Sequence, residues 1–124
     1  MKIKLPQLVR EFLAETLGTF LLVLFGNGSI AQKIGMGDNF LSIALGYGLA
    51  LMIGILASGG VSGGHLNPAV TLAMAVIKKC HWKKIPVYWA GQYLGAFLAS
   101  AILYGTYADF IRYQVFFNFA PFLN

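Results

Sequence analysis

Asn67 and the residues before it, Gly63, Gly64, His65 and Leu66, are the part of this chain best suited to chemistry, and that chemistry is hydrogen-bond exchange, not bond making. A neutral solute leaving water must replace the hydrogen bonds it gives up, because each unmade bond is costly in an apolar medium. Unwound backbone over Gly63, Gly64, His65 and Leu66 can present a ladder of carbonyl acceptors, with the Asn67 amide as a donor beside it. Asn67 is also a favourable N-cap. Pro68 suits the first helical position, where its missing N–H has no intrahelical partner in any case. The spacing therefore predicts a helix that starts at Pro68, runs through Ala69, Val70 and Thr71, and aims its positive end at the site, repelling cations and disfavouring a hydrated proton. The glycines at 59, 60, 63 and 64 predict that the whole stretch before the cap is unwound. No nucleophile is placed for covalent catalysis, and no acid, base or cofactor motif is arranged for an enzyme. His65 has no second His, Cys or carboxylate at ligand spacing, and His81 sits on a basic loop, so neither a metal nor a cofactor is expected.

The elements that must position these residues follow from length and polarity. The apolar run from Pro68 to Ile77 stops at Lys78 and Lys79, which makes it roughly 15 Å long, about half a hydrocarbon core. Such a segment cannot cross alone. Preceded by glycine-rich coil and flanked by long apolar segments, it reads as a re-entrant loop and half-helix over about 58–78, with irregular backbone tolerated because protein or water surrounds it. Spanning helices are expected over about 12–31, 40–57 and 85–107. The composition, 58% hydrophobic and 10% charged, agrees with an integral, multi-pass membrane chain. Its net charge of +5 does not point to nucleic acid, because the basic residues flank apolar segments. Lone Cys80 leaves no internal disulfide. Seven Lys and Arg (Lys2, Lys4, Arg10, Lys78, Lys79, Lys83 and Lys84) fall at the ends assigned inside, against Lys33 and Arg112 outside, so the N-terminus is expected in the cytoplasm.

Within the first span lies Glu15, a group that is expensive there unless it faces protein and finds donors. It is expected to accept hydrogen bonds from orphaned backbone N–H groups of the re-entrant loop. Small residues recur at four-residue spacing at Gly46, Ala50, Gly54 and Ser58, and again at Gly91, Gly95 and Ala99, which predicts close helix contacts. The tail over 109–124 carries Phe110, Phe116, Phe117, Phe119 and Phe122, with Pro121. It is expected either as an interfacial segment or as the start of a connector.

The run Ser62-Gly63-Gly64-His65-Leu66-Asn67-Pro68-Ala69-Val70-Thr71 resembles the first signature of the aquaporin (major intrinsic protein) family. The resemblance extends through Glu11 to Phe20, Trp82 to Tyr88 and Gln92 to Phe97, and looks closest to the glycerol-conducting branch. It implies an all-α transmembrane fold of three spanning helices plus one re-entrant half-helix, corresponding to one repeat of the aquaporin fold. It further implies a plasma-membrane channel for passive passage of glycerol, water and other small neutral solutes. Asn67, Pro68, Ala69, Gly63, Gly64, His65 and Leu66 would line the pore, with the His65 ring packing nearby. Tyr47 would help form an outer constriction, and Glu15 would anchor the loop. An aquaporin has two inverted repeats, whereas this sequence holds one Asn-Pro-Ala motif and no counterpart of the filter arginine that follows the second. The expectation is a half-channel needing a complementary half. The alternative is a non-conducting form that associates with itself or with full-length relatives through its Gly46 and Gly91 faces and modulates their assembly.

Overall fold

The helices of this chain lie between a few capping residues, and one of them, the first, becomes the middle of the bundle. The computed structural model describes residues 5–36 and 39–119. Its elements are α1 (Gln7–Met36), α2 (Phe40–Ser62), α3 (Pro68–Val76), a 3₁₀ turn (Trp82–Lys84) and α4 (Ile85–Phe119). Asn39 caps α2, its side chain accepting from the Ser42 N–H at 3.2 Å. At the other end Gly63 takes the left-handed conformation at φ 91°, and its N–H reaches the Gly59 carbonyl at 3.1 Å. A left-handed glycine there stops the helix while keeping the Gly59 carbonyl paired.

The described helices run beyond the expected spans. Gly59 and Gly60 are helical, and α2 continues to Ser62, beyond the expected end at 57. Their lack of a side chain does not unwind the backbone; the helix stops only at Gly63 and Gly64, where φ turns positive. α1 starts before residue 12 and runs past 31, and α4 continues well past 107, through part of the expected tail, as far as Phe119. Phe122 and Pro121 lie outside the described residues. Two described helices, α2 and the α4 segment, are long and apolar enough to cross a membrane. Their outward faces carry large exposed apolar side chains, Leu56 at 76% and Phe97 at 69% exposure, as a lipid-facing surface would.

α1 packs along both α2 and α4, and α3 leans on α4. The small residues make these approaches close. A Cβ at Gly95 would stand 2.3 Å from the Thr16 carbonyl oxygen, and one at Gly91 2.7 Å from that of Phe12. On the opposite side of α1, a Cβ at Gly54 would stand 2.8 Å from the Gly18 carbonyl oxygen, and one at Gly46 2.6 Å from Ser29 Cβ. Ala50, Ser58 and Ala99 on the same faces are buried. The Gly46 and Gly91 faces are thus consumed inside the chain, which removes them as the surfaces through which the alternative reading has it meet other channels. Backbones at this distance gain dispersion contacts that larger side chains would hold off. At the basic end, Lys84 Nζ meets Glu11 Oε1 at 2.7 Å and fastens the 3₁₀ turn to α1.

A comparison of two glycine substitutions checks this packing. Gly95→Ala pushes a methyl group into α1 backbone and should destabilise the fold by about 1–3 kcal/mol. Gly48→Ala has open space and should be neutral or stabilising. Equal thermal midpoints in detergent for the two variants would rule out a close α1–α4 contact at Gly95.

Candidate functional site

Between α2 and α3 the chain leaves helical geometry for only a few residues. Gly63 and Gly64 have φ of 91° and 63°, and Leu66, which is not a glycine, has φ of 53°. A leucine in the left-handed region is held there against a local preference. Two contacts hold it. Its N–H donates to Glu15 Oε2 at 2.8 Å, and its side chain, 2% exposed, fills the space that Gly18 and Gly54 leave open. Asn67 follows in extended conformation and caps α3, its Oδ1 accepting from the Ala69 N–H at 2.8 Å. Because the cap uses the oxygen, the Asn67 NH₂ is turned away from it and remains a donor on an exposed residue.

Glu15 is fully buried and accepts four hydrogen bonds. Oε1 takes the Ser62 hydroxyl at 2.6 Å and the His65 N–H at 2.9 Å; Oε2 takes the Leu66 N–H at 2.8 Å and Gln92 Nε2 at 2.7 Å. One carboxylate of α1 thereby joins the end of α2, the loop and α4. A second polar group lies beside it. Thr71 Oγ1 donates to the Asn67 carbonyl at 3.1 Å and accepts from Gln92 Nε2 at 2.9 Å, with His65 Nδ1 at 3.2 Å. Since the single Thr71 hydrogen goes to Asn67, His65 donates from Nδ1, which fixes its tautomer. The His65 ring packs on Tyr88 with centroids 5.0 Å apart, and the Tyr88 hydroxyl donates to the Ser62 carbonyl at 2.8 Å. Trp89 Nε1 donates to the Pro68 carbonyl at 3.2 Å.

The loop N–H groups of Gly64, His65 and Leu66 are therefore satisfied from inside the protein, at Ser62 Oγ and Glu15. The carbonyls of Gly63, Gly64, His65 and Leu66 accept no hydrogen bond from the described residues. Donors face inward and acceptors are left over, beside the Asn67 amide and the N-terminus of α3. Such an edge can accept from a passing hydroxyl and donate back to it, and it offers nothing for covalent chemistry.

Among the residues singled out in the sequence, the structure gathers Glu15, Gly63, Gly64, His65, Leu66, Asn67, Pro68 and Ala69 into this one region. Tyr47 is held elsewhere, about 24 Å before Gly63 along the axis of α2 at 1.5 Å per residue. Its hydroxyl donates to Asn27 Oδ1, and its ring lies over Gly26. Sequence reasoning missed Ser62, Thr71, Tyr88, Trp89 and Gln92 as site residues. The available signal was polarity: Gln92 and Thr71 are uncharged polar residues within apolar helical runs, and each had to find a partner. Clefts of about 580 and 560 Å³ lie along α1, α2 and α4, lined by such residues as Asn27, Leu103 and Tyr107, and touch none of the loop residues.

Long apolar helices packed around a buried carboxylate that braces a short helix define a helical integral membrane protein. The family model for the major intrinsic protein matches residues 2–122, and the chain belongs to that family. It is 54% identical over 105 residues to aquaporin-10 of Milnesium tardigradum, covering 82% of this chain and 26% of that protein. It is 51% identical over 114 residues to aquaglyceroporin-2 of Rhizophagus irregularis, covering 90% of this chain and 34% of the relative. The solved aquaglyceroporin from Plasmodium falciparum superposes with a TM-score of 0.81 at 44% identity, over 86% of this chain and 45% of that one. The chain thus spans less than half the length of each of these relatives.

The Glu15 network generates a direct test. Glu15→Ala leaves two buried backbone N–H groups and one of the two Gln92 amide hydrogens without an acceptor, at about 1–3 kcal/mol each. Amide hydrogen exchange at His65 and Leu66 should accelerate at least about tenfold, while the α1–α2 contact around Gly46 stays protected. Unchanged exchange at both loop amides would show that Glu15 does not hold the loop.

Proposed function

We propose that this chain forms the first half of a pore passing water and small neutral polyols such as glycerol, and that a complementary membrane segment completes the pore. The observation that carries the reading is the run of four carbonyls at Gly63, Gly64, His65 and Leu66 that accept no hydrogen bond from the described residues, next to the Asn67 amide. Successive acceptors along this non-helical backbone match the successive hydroxyls of a polyol, and a single file of water can use the same positions. The positive end of α3 beside Asn67 disfavours cations and hydrated protons. The relatives named aquaglyceroporins support the same substrate class.

In this reading α1, α2 and α4 cross the bilayer, and α3 enters from one side and returns to it. Glu15 anchors the loop, and Tyr47, seated on Gly26, stands at the outer constriction. The basic residues at the α3–α4 turn support a cytoplasmic position for that end and for the N-terminus, and a plasma-membrane location accords with the solute class. The complementary segment covers the acceptor edge, because one repeat presents only one wall of a channel.

Flux measurements test the proposal. Vesicles holding the chain alone should pass glycerol no faster than empty vesicles, whereas co-reconstitution with the unmatched remainder of the solved relative should restore flux. Asn67→Asp keeps the α3 cap but exchanges an amide donor for a negative charge. The variant should assemble normally, pass glycerol poorly and admit cations. Normal glycerol flux with normal cation exclusion in that variant would reduce Asn67 to a helix cap.

A further inference from the structure

The turn that joins α3 to α4 has features that the pore reading does not use. α3 ends in a two-bond cap, with the Lys79 N–H reaching the Met74 carbonyl at 2.8 Å and the Lys78 N–H reaching that of Ala75 at 3.0 Å. This arrangement puts Lys78 in the left-handed region at φ 62°, the position where such caps favour glycine. The sequence therefore keeps a long cationic side chain where the backbone would be more comfortable without one. Beside it is a concavity of about 300 Å³, lined by Ala75, Lys78, Lys79, Cys80, His81 and Trp82.

Charge and polarity around this concavity are one-sided. Lys84 is matched by Glu11 at 2.7 Å, but no ion pair forms to Lys78, Lys79 or Lys83 among the described residues, and all three are exposed. His81 Nδ1 accepts from the Lys83 N–H at 3.3 Å, so a neutral ring carries its hydrogen on Nε2, where it can serve an external oxygen. Next to the lysines, Val76, Ile77 and Trp82 are 63%, 59% and 57% exposed. Cations, a further donor and an exposed apolar shelf ending in a tryptophan are the complement of an anionic headgroup with its acyl chains attached. A soluble anion would use the cations and leave the shelf bare.

We propose that the α3–α4 turn binds an anionic phospholipid, with Lys78, Lys79 and Lys83 around the phosphate and Trp82 at the acyl boundary. The occupied turn would steady the end of α3 and, through it, the helix that starts at Asn67. The inference rests on the chain being an integral membrane protein and is independent of whether the pore conducts.

Native mass spectrometry of the full chain, offered equal phosphatidylglycerol and phosphatidylcholine in detergent, reads the preference as a ratio of bound lipids. The unaltered chain should favour phosphatidylglycerol. Lys78→Gly should lower the ratio about fivefold, the loss expected for one lysine near an anionic surface. Its thermal midpoint should not fall, because glycine suits the cap. Adding Lys79→Gln and Lys83→Gln should abolish the preference. Arg112→Gln, which removes one charge from the far part of α4, should leave the ratio little changed. The proposal is overturned if the triple variant keeps its preference, if Arg112→Gln matches Lys78→Gly and so reveals only diffuse charge, or if excess inorganic phosphate displaces the lipid, which would make the site one for free phosphate.

Discussion

A single buried carboxylate organises the region around Asn67. Glu15 has no exposure to solvent and sits in the middle helix, where an unpartnered polar group would oppose both folding and insertion. It accepts from the end of α2, from two consecutive loop amides and from α4. The same four bonds that make its burial tolerable decide the path of the loop. Breaking the bond from His65, Leu66 or Gln92 strands a buried donor hydrogen, whereas the Ser62 hydroxyl can still turn to the Ser58 carbonyl.

This arrangement depends on how near α1 lies to its neighbours. A carboxylate side chain is short, and it reaches both sides only because Gly91 and Gly95 bring α4 against the α1 backbone while Gly54 brings α2 against Gly18. The Leu66 side chain then occupies what Gly18 and Gly54 vacate. Packing and polarity cooperate here: small residues set the distance, the leucine fills the gap, and the hydrogen bonds fix the direction of the loop. With its N–H groups turned inward, the loop has its carbonyls left for something outside the chain.

Two ends of the same short helix then take on different tasks. At its start, the Asn67 cap consumes an oxygen and leaves an amide, Thr71 braces the Asn67 carbonyl, and Trp89 braces that of Pro68. At its end, Lys78 closes the helix in a conformation suited to glycine, and the following turn is fastened to α1 through Lys84 and Glu11. Both ends are tied to the bundle by side chains from α1 or α4, so a helix only nine residues long, too short to be stable alone, is well defined.

The sequence by itself determined what is local. Asn67 followed by Pro68 and an apolar run favours a helix start, because the cap and the missing N–H act within one turn. Lys78 and Lys79 limit the length of that helix, and the apolar stretches on either side are legible as helices from composition. The requirement that Glu15 find donors was also legible, since it follows from its depth. Only the tertiary structure decided which donors these are, because Ser62, His65, Leu66 and Gln92 come from distant parts of the chain. It also decided that Gly59 and Gly60 remain helical, since a glycine permits unwinding without causing it, and that the Gly46 and Gly91 faces meet α1. Four-residue spacing states that a face is smooth; which backbone lies against it depends on the packing of the whole bundle.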